Sequence, residues 1–161
     1  QPGRDHAPPF EKALRLPVPS IHAGERGFAR IPGTRRSLPM PLARIEIRTG
    51  KPVEYRQSLI ESVREAFLDA LQTPEAALWI RLCERKEENF LIPPGRSDDA
   101  VLIEISLIAG RSVEKKESLY RAIVEHLARD PGVPPDDVCI AVYEPPAENW
   151  AEGGGISAAR R

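Results

Sequence analysis

The sequence predicts an α/β (α+β) fold in which tandem βαβ units form a four-stranded mixed sheet with two helices on one face. Three observations carry this: a self-similarity at a fixed offset, period-two strands alternating with helical stripes, and glycine or proline punctuation between them. Sliding the chain by about 60 residues sets 42–95 on 102–155 without a gap: Leu42 meets Leu102, Ile45 meets Ile105 and Gly50 meets Gly110. Val53-Glu54 meets Val113-Glu114, Ser58-Leu59 meets Ser118-Leu119, Pro74 meets Pro134, and Glu84 meets Glu144. Chemistry repeats as well, with Lys51 on Arg111 and Phe90 on Trp150.

Each unit reads strand, helix, strand. "LARIEIR" (42–48) alternates apolar and charged residues, as a strand with one buried face does, while its counterpart "VLIEISLI" (101–108) is nearly all apolar and predicts the more buried strand. Gly50 and Gly110 mark the turns; Pro52 suits a helix's first turn and Ser112 its cap. The first helix is expected over about 53–72 with Leu59, Ile60, Val63, Phe67 and Leu71 on one stripe, the second over about 113–129 with Leu119, Ile123, Val124 and Leu127. "DPGVPP" (130–135) stops the second helix because proline cannot continue it. Closing strands follow at 78–83 and 138–143. A strand joined to the next through one helix is normally a parallel, right-handed crossover. Such a sheet leaves one face without a helix layer, and with Ile45, Ile105, Ile140 and Val142 in the strands, oligomerisation is expected to cover it.

Composition bounds the rest. With 41% apolar and 29% charged residues, 161 residues are enough for one domain with a real core. Residues 1–40 carry seven Lys/Arg against three Asp/Glu and seven prolines without apolar periodicity, so they read as a disordered or non-native leader. The domain is 41–158 (repeats 41–95 and 101–155), with a tail at 159–161. Residues 41–161 carry sixteen basic against twenty-one acidic residues, which argues against nucleic-acid binding. No run approaches the roughly 18 apolar residues of a membrane span, so the expected setting is cytoplasmic, with no membrane partner. Cys83 and Cys139 stand apart in apolar stretches and read as buried thiols without metal or redox roles. His126, among charged helix residues, is expected at the surface, and "GGG" at 153–155 reads as a flexible tail.

The chain's single methionine, Met40, directly precedes Pro41. If Met40 initiates and is removed, the ring nitrogen of Pro41 becomes a titratable secondary amine instead of an amide. These residues resemble the tautomerase superfamily, built from one or two βαβ units that begin with a catalytic proline. "MPLARIEIRTG" is similar to its amino terminus, "IAGRSVEKKESLYRAI" to the arginine-bearing turn and helix of 4-oxalocrotonate tautomerase, and "DVCIAVYEPPAENWAEGGGISA" to its closing strand and tail. The duplication resembles the fused branch that includes malonate semialdehyde decarboxylase and cis-3-chloroacrylic acid dehalogenase.

The resemblance implies a tautomerase/MIF-like homotrimer that needs no cofactor or metal and acts on a small carboxylic acid. Pro41 would be the base, Arg111 the carboxylate receptor and Trp150 the aromatic wall. Lys51, the repeat mate of Arg111, and Asn149, beside Trp150, are candidate substrate contacts, the alternatives being a structural or rim place for Lys51 and a turn for Asn149. Four positions depart from the pattern. Trp79 and Cys139 stand where single-unit enzymes place a second arginine, Ala109 stands where decarboxylase-like members have a paired arginine, and Ala77 stands where they carry an acid.

The chemistry follows from the residues. A free proline amine buried beside a guanidinium is disfavoured as an ammonium by desolvation and by like charge, which leaves a neutral base near pH 7. Three readings stay open: a tautomerase of 2-keto or 2-hydroxy-dienoate acids, a decarboxylase or hydratase of the malonate semialdehyde type with Pro41 as acid, and a non-catalytic trimer if Pro41 is not a free terminus.

Overall fold

A computed structural model describes residues 40–152 and 155–160. The expected leader therefore lies outside the described residues except for Met40, as do Gly153 and Gly154. The elements run β1 (Leu42–Arg48), α1 (Val53–Leu71), β2 (Trp79–Arg85), β3 (Val101–Ser106), α2 (Val113–Arg129) and β4 (Val138–Tyr143). A two-residue ribbon follows, β5 (Ala151–Glu152) antiparallel to β6 (Ile156–Ser157).

The four long strands form one mixed sheet in the order β2-β1-β3-β4. β1 pairs parallel with β2 and β3 parallel with β4, as crossover connections require, while the two units join antiparallel through β1 and β3. The register sets Ile45 opposite Ile103 and Ala43 opposite Ile105 across that central seam. Both helices lie on the same side, and the burial of β1 alternates strictly, with Ala43, Ile45 and Ile47 beneath them.

The core repeats with the sequence. Leu59 and Leu119, Val63 and Ile123, Phe67 and Leu127, Ile45 and Ile105 are related by the same offset, and each is fully buried. Each helix stripe thus turns its i, i+4, i+8 residues onto the same strand rows. Val124 is half-buried and stays outside this core. The turns repeat too: Gly50 and Gly110 adopt φ of +103° and +122°, a region that side chains with a Cβ rarely enter. Ser112 Oγ then accepts from Lys115 N–H at 3.4 Å and caps α2.

The face away from the helices differs from expectation. Ile45, Ile105, Ile140 and Val142 all lie with the helix-side core, so they do not call for an oligomeric cover. The open face carries Leu42, Arg44, Glu46 and Arg48 from β1 and Glu104 from β3, with Trp79 (63% exposed) and Tyr143 (52% exposed) toward its margins. Arg44 pairs with Glu46 and Glu104, Arg85 donates to Glu46 at 2.8 Å, and Tyr143 Oη donates to Glu104 at 3.2 Å. The Arg85 hydrogen bond, helped by Arg44, holds the Glu46 carboxyl below the usual carboxylate range. Pairing, not apolar contact, dominates this surface.

The thiols belong to that face. Cys83 is half-buried and Cys139 exposed, because the alternation that buries Leu82 and Ile140 toward the helices turns their neighbours outward. His126 is drawn inward, its side chain 11% exposed, with Nδ1 3.1 Å from Glu65 and Nε2 2.9 Å from Asp69 on α1. Among the described residues, no helix is long and apolar enough to cross a membrane.

Candidate active site

The antiparallel seam decides what meets at each end of the sheet. Leu42 opposes Ser106, so the start of β1 and the end of β3 lie together, and Pro41 falls in the row of Leu107. Pro41 is buried, and its carbonyl accepts the Trp79 N–H at 3.1 Å, which ties the start of β2 to the same end. Arg111 follows the Gly110 turn four residues beyond that row. The fold therefore brings Pro41 and Arg111 to one end of one sheet although 70 positions separate them.

Arg111 is half-buried, and its Nη1 donates to the Ile108 carbonyl at 3.1 Å. Burial pushes the guanidinium below its ordinary pKa, and the negative charge of Glu144 opposes that. Arginine stays protonated under such a shift. No carboxylate among the described residues forms an ion pair with it. A half-buried guanidinium without a direct ion pair favours an incoming anion, and its planar fork suits a carboxylate.

Trp150 and Asn149 follow β4, whose end lies beside the end of β3. Ala109 N–H donates to Pro145 O at 3.1 Å, fastening the segment that leads to them against the Arg111 turn. Trp150 is half-buried, and its Nε1 is buried without a hydrogen-bond partner among the described residues. A buried indole N–H normally finds an acceptor, so this donor is open to one. Asn149 is exposed and sits in a short 3₁₀ turn, its N–H donating to Pro146 O at 2.9 Å.

Lys51 lies elsewhere within the chain. It follows the far end of β1, and seven strand residues span about 23 Å. Its Nζ pairs with Asp99 and sits 5.3 Å from the Tyr55 ring centre. Arg48 beside it pairs with Asp98 at 2.5 Å and Glu87 at 3.7 Å. At this second end Val101 takes the place of Pro41, beside a cavity of about 230 Å³ lined by Phe90, Leu91, Pro93, Val101, Asp137 and Cys139. Asp137 there accepts from the Ser97 N–H at 2.9 Å and the Ser97 hydroxyl at 2.5 Å, which hold its carboxyl below the usual range. The matching position near Pro41 is Ala77, 3% exposed, which supplies no carboxylate.

Two further features of the Pro41 end escaped the sequence reading. Arg81, exposed on the open face opposite Arg44, lines a cavity of about 100 Å³ with Leu42, Glu104, Ser106 and Tyr143. The alternation of "LWIRLC" sets Arg81 on the same face as Trp79 and was the available signal. The second is the pair formed by Lys116 and Glu144, 2.6 Å apart, whose signal was the repeated acid Glu84.

A family model described as tautomerase enzyme matches residues 79–153, and a solved relative shares 30% identity over most of its length. The chain belongs to the tautomerase superfamily, in its fused two-unit branch. That relative is the FG41 malonate semialdehyde decarboxylase inhibited by 3-bromopropiolate; the match covers 73% of this chain and 92% of that one with a TM-score of 0.66. The probable tautomerase YusQ of Bacillus subtilis (strain 168) is 28% identical over 121 residues, 72% of this chain and 95% of its own. A fused 4-OT solved as a symmetric trimer has the same fold at 24% identity and a TM-score of 0.66, covering 73% of this chain and 96% of that one. Membership supports an enzymatic activity of the tautomerase or decarboxylase/hydratase kind.

Proposed function

We propose that the chain is a cofactor-independent tautomerase acting on small 2-keto or 2-hydroxy-dienoate acids, with Pro41, freed by loss of Met40, as general base. The observation that carries this reading is the meeting of buried Pro41 and unpaired, half-buried Arg111 at one end of the sheet. The Pro41 amine would take a proton from the enol oxygen and return it to carbon, or the reverse. Its ring fixes φ, so the lone pair is aimed with little freedom left to lose. Arg111 would grip the carboxylate and stabilise charge developing on the dienolate. Trp150 would pack on the substrate plane and exclude water.

A homotrimer fits the open face. Its exposed Trp79 and Tyr143 and its ladder of paired charges would be covered by copies of the same chain; a protein of the same fold is solved as a symmetric trimer.

Protein beginning at Pro41 is expected to ketonise phenylpyruvate or 2-hydroxymuconate and to take up 3-bromopropiolate on the Pro41 peptide. Absence of both activities, with Pro41→Ala making no difference, would overturn the reading. The second reading is a decarboxylase or hydratase with Pro41 as acid, favoured by the 30% identity to the FG41 enzyme. The kcat/KM pH profile separates the two. A limb titrating below the ordinary α-amino range of about 7.7–8.0 indicates the base, and one above it the acid.

A further inference from the structure

Arg111 has a carboxylate for a neighbour and does not pair with it. Leu107 N–H donates to Tyr143 O at 2.9 Å and Ala109 N–H to Pro145 O at 3.1 Å, so Glu144 is held across the parallel ladder from Leu107. The next residue of that strand end, Ile108, is the one whose carbonyl accepts Arg111 Nη1. The chain thus delivers an acid beside the guanidinium, where a direct ion pair would occupy the place of a substrate carboxylate. Lys116 takes the acid instead: its Nζ lies 2.6 Å from Glu144 Oε2, with the two side chains 22% and 24% exposed. The other oxygen, Oε1, is buried without a partner among the described residues.

The tie has a counterpart in the first unit. Arg56 and Glu84 occupy the same places in the first unit and pair in the same way. What differs is the surrounding charge. Continuing the repeat offset sets Glu87, Asp98 and Asp99, which neutralise Arg48 and Lys51, onto Ala147, Ala158 and Ala159. The second unit therefore carries alanine at each position from which the first unit neutralises Arg48 and Lys51. Glu144 remains.

We propose that Lys116 is a positioning residue that keeps Glu144 off Arg111, so that the guanidinium stays open to a substrate carboxylate. The inference rests on the reading of Arg111 as the carboxylate receptor. Without Lys116, Glu144 gains by turning its carboxylate onto the Arg111 guanidinium, whose charge already acts on it, and competes with the substrate from inside the protein. Without Lys116 and Glu144 together, no internal competitor remains.

The test compares Lys116→Met, Glu144→Gln and the double variant in protein beginning at Pro41, with phenylpyruvate as the calorimetric probe. Lys116→Met is expected to weaken Kd about tenfold, and the double variant to return it to within about threefold of the parent. Glu144→Gln alone is expected to bind at least as tightly as the parent. In crystals of Lys116→Met, Glu144 is expected in ion-pair contact with Arg111. Parent-like binding by Lys116→Met, a double variant as weak as the single, or Glu144 still clear of Arg111 in the crystal would overturn the inference. A merely structural Lys116 would lower stability in both variants, and removing Glu144 would not rescue binding. If the parent itself does not bind phenylpyruvate, the carboxylate reading of the site fails, and the crystal structure of Lys116→Met still decides whether Lys116 restrains Glu144.

Discussion

The two ends of the sheet began as copies and now differ in charge, while the core between them has kept its symmetry. At one end lie buried Pro41, the Arg111 guanidinium on a backbone carbonyl, and alanines at 77, 147, 158 and 159. At the other, Val101 replaces the proline, Lys51 and Arg48 are each paired with acids, and Asp137 is fastened to Ser97. Duplication therefore constrained packing and left the end loops free to diverge. An end whose cations are already neutralised has little to offer an anionic ligand.

The largest effect is expected at Pro41. Acetylating the Pro41 amine removes its lone pair and should lower kcat/KM by at least about 10²-fold, within the range ascribed to general acid–base catalysis, as measured by ketonisation of phenylpyruvate. A loss of less than about threefold would move the chemistry away from this end.

The core should respond evenly. Leu59→Ala and Leu119→Ala remove repeat-related, fully buried side chains and should each cost about 2–5 kcal/mol in urea unfolding. Values that differ by more than about 2 kcal/mol would mean that the packing has diverged with the ends.

Cations at the two ends should not respond evenly. Arg111→Ala is expected to reduce kcat/KM by about 10²-fold, the scale of losing a buried charged hydrogen-bond donor to developing charge. Lys51→Ala, which breaks a partly exposed pair with Asp99, should change it by less than about twofold. Equal losses would mean that both ends serve one site, as a neighbouring copy could arrange.

The smallest effect is a pH dependence confined to the silent end. Ser97 holds the Asp137 carboxyl below its ordinary value, so the unfolded chain takes up that proton first as pH falls. The stabilisation is present above the ordinary aspartate range and is lost as pH drops through the folded value. The stability gap between the parent and Asp137→Asn should therefore narrow as urea midpoints are followed from about pH 6 to about pH 3. A gap that stays constant would detach the Ser97 bonds from the titration.

Much of the fold was legible because packing and repetition leave periodic traces. The offset that aligns Ile45 with Ile105 and Leu59 with Leu119 named the core pairs, and the strand at 42–48 and the helix at 113–129 fell where the structure has them. What failed depended on which face a residue takes beside a neighbour the sequence does not display. Cys139 faces outward one residue before Ile140 faces inward, and His126 is drawn between helices by Glu65 and Asp69, 61 and 57 positions away. Lys51 aligns with Arg111 in the repeat, yet the antiparallel seam sends the two to opposite ends. The meeting of Pro41 and Arg111 needed that seam, which the repeat implies but does not orient. The Lys116–Glu144 tie also crosses between helix and strand, and charges at that separation leave no local pattern.

The central claim is that the Pro41 ring nitrogen is a free amine poised as a base. Protein isolated from its native cell and labelled with [15N]proline tests it in one titration. A resonance assigned to Pro41 should titrate with an apparent pKa below the ordinary α-amino range of about 7.7–8.0. A nitrogen that does not titrate, as an amide would not, or one that titrates above that range, would contradict the account.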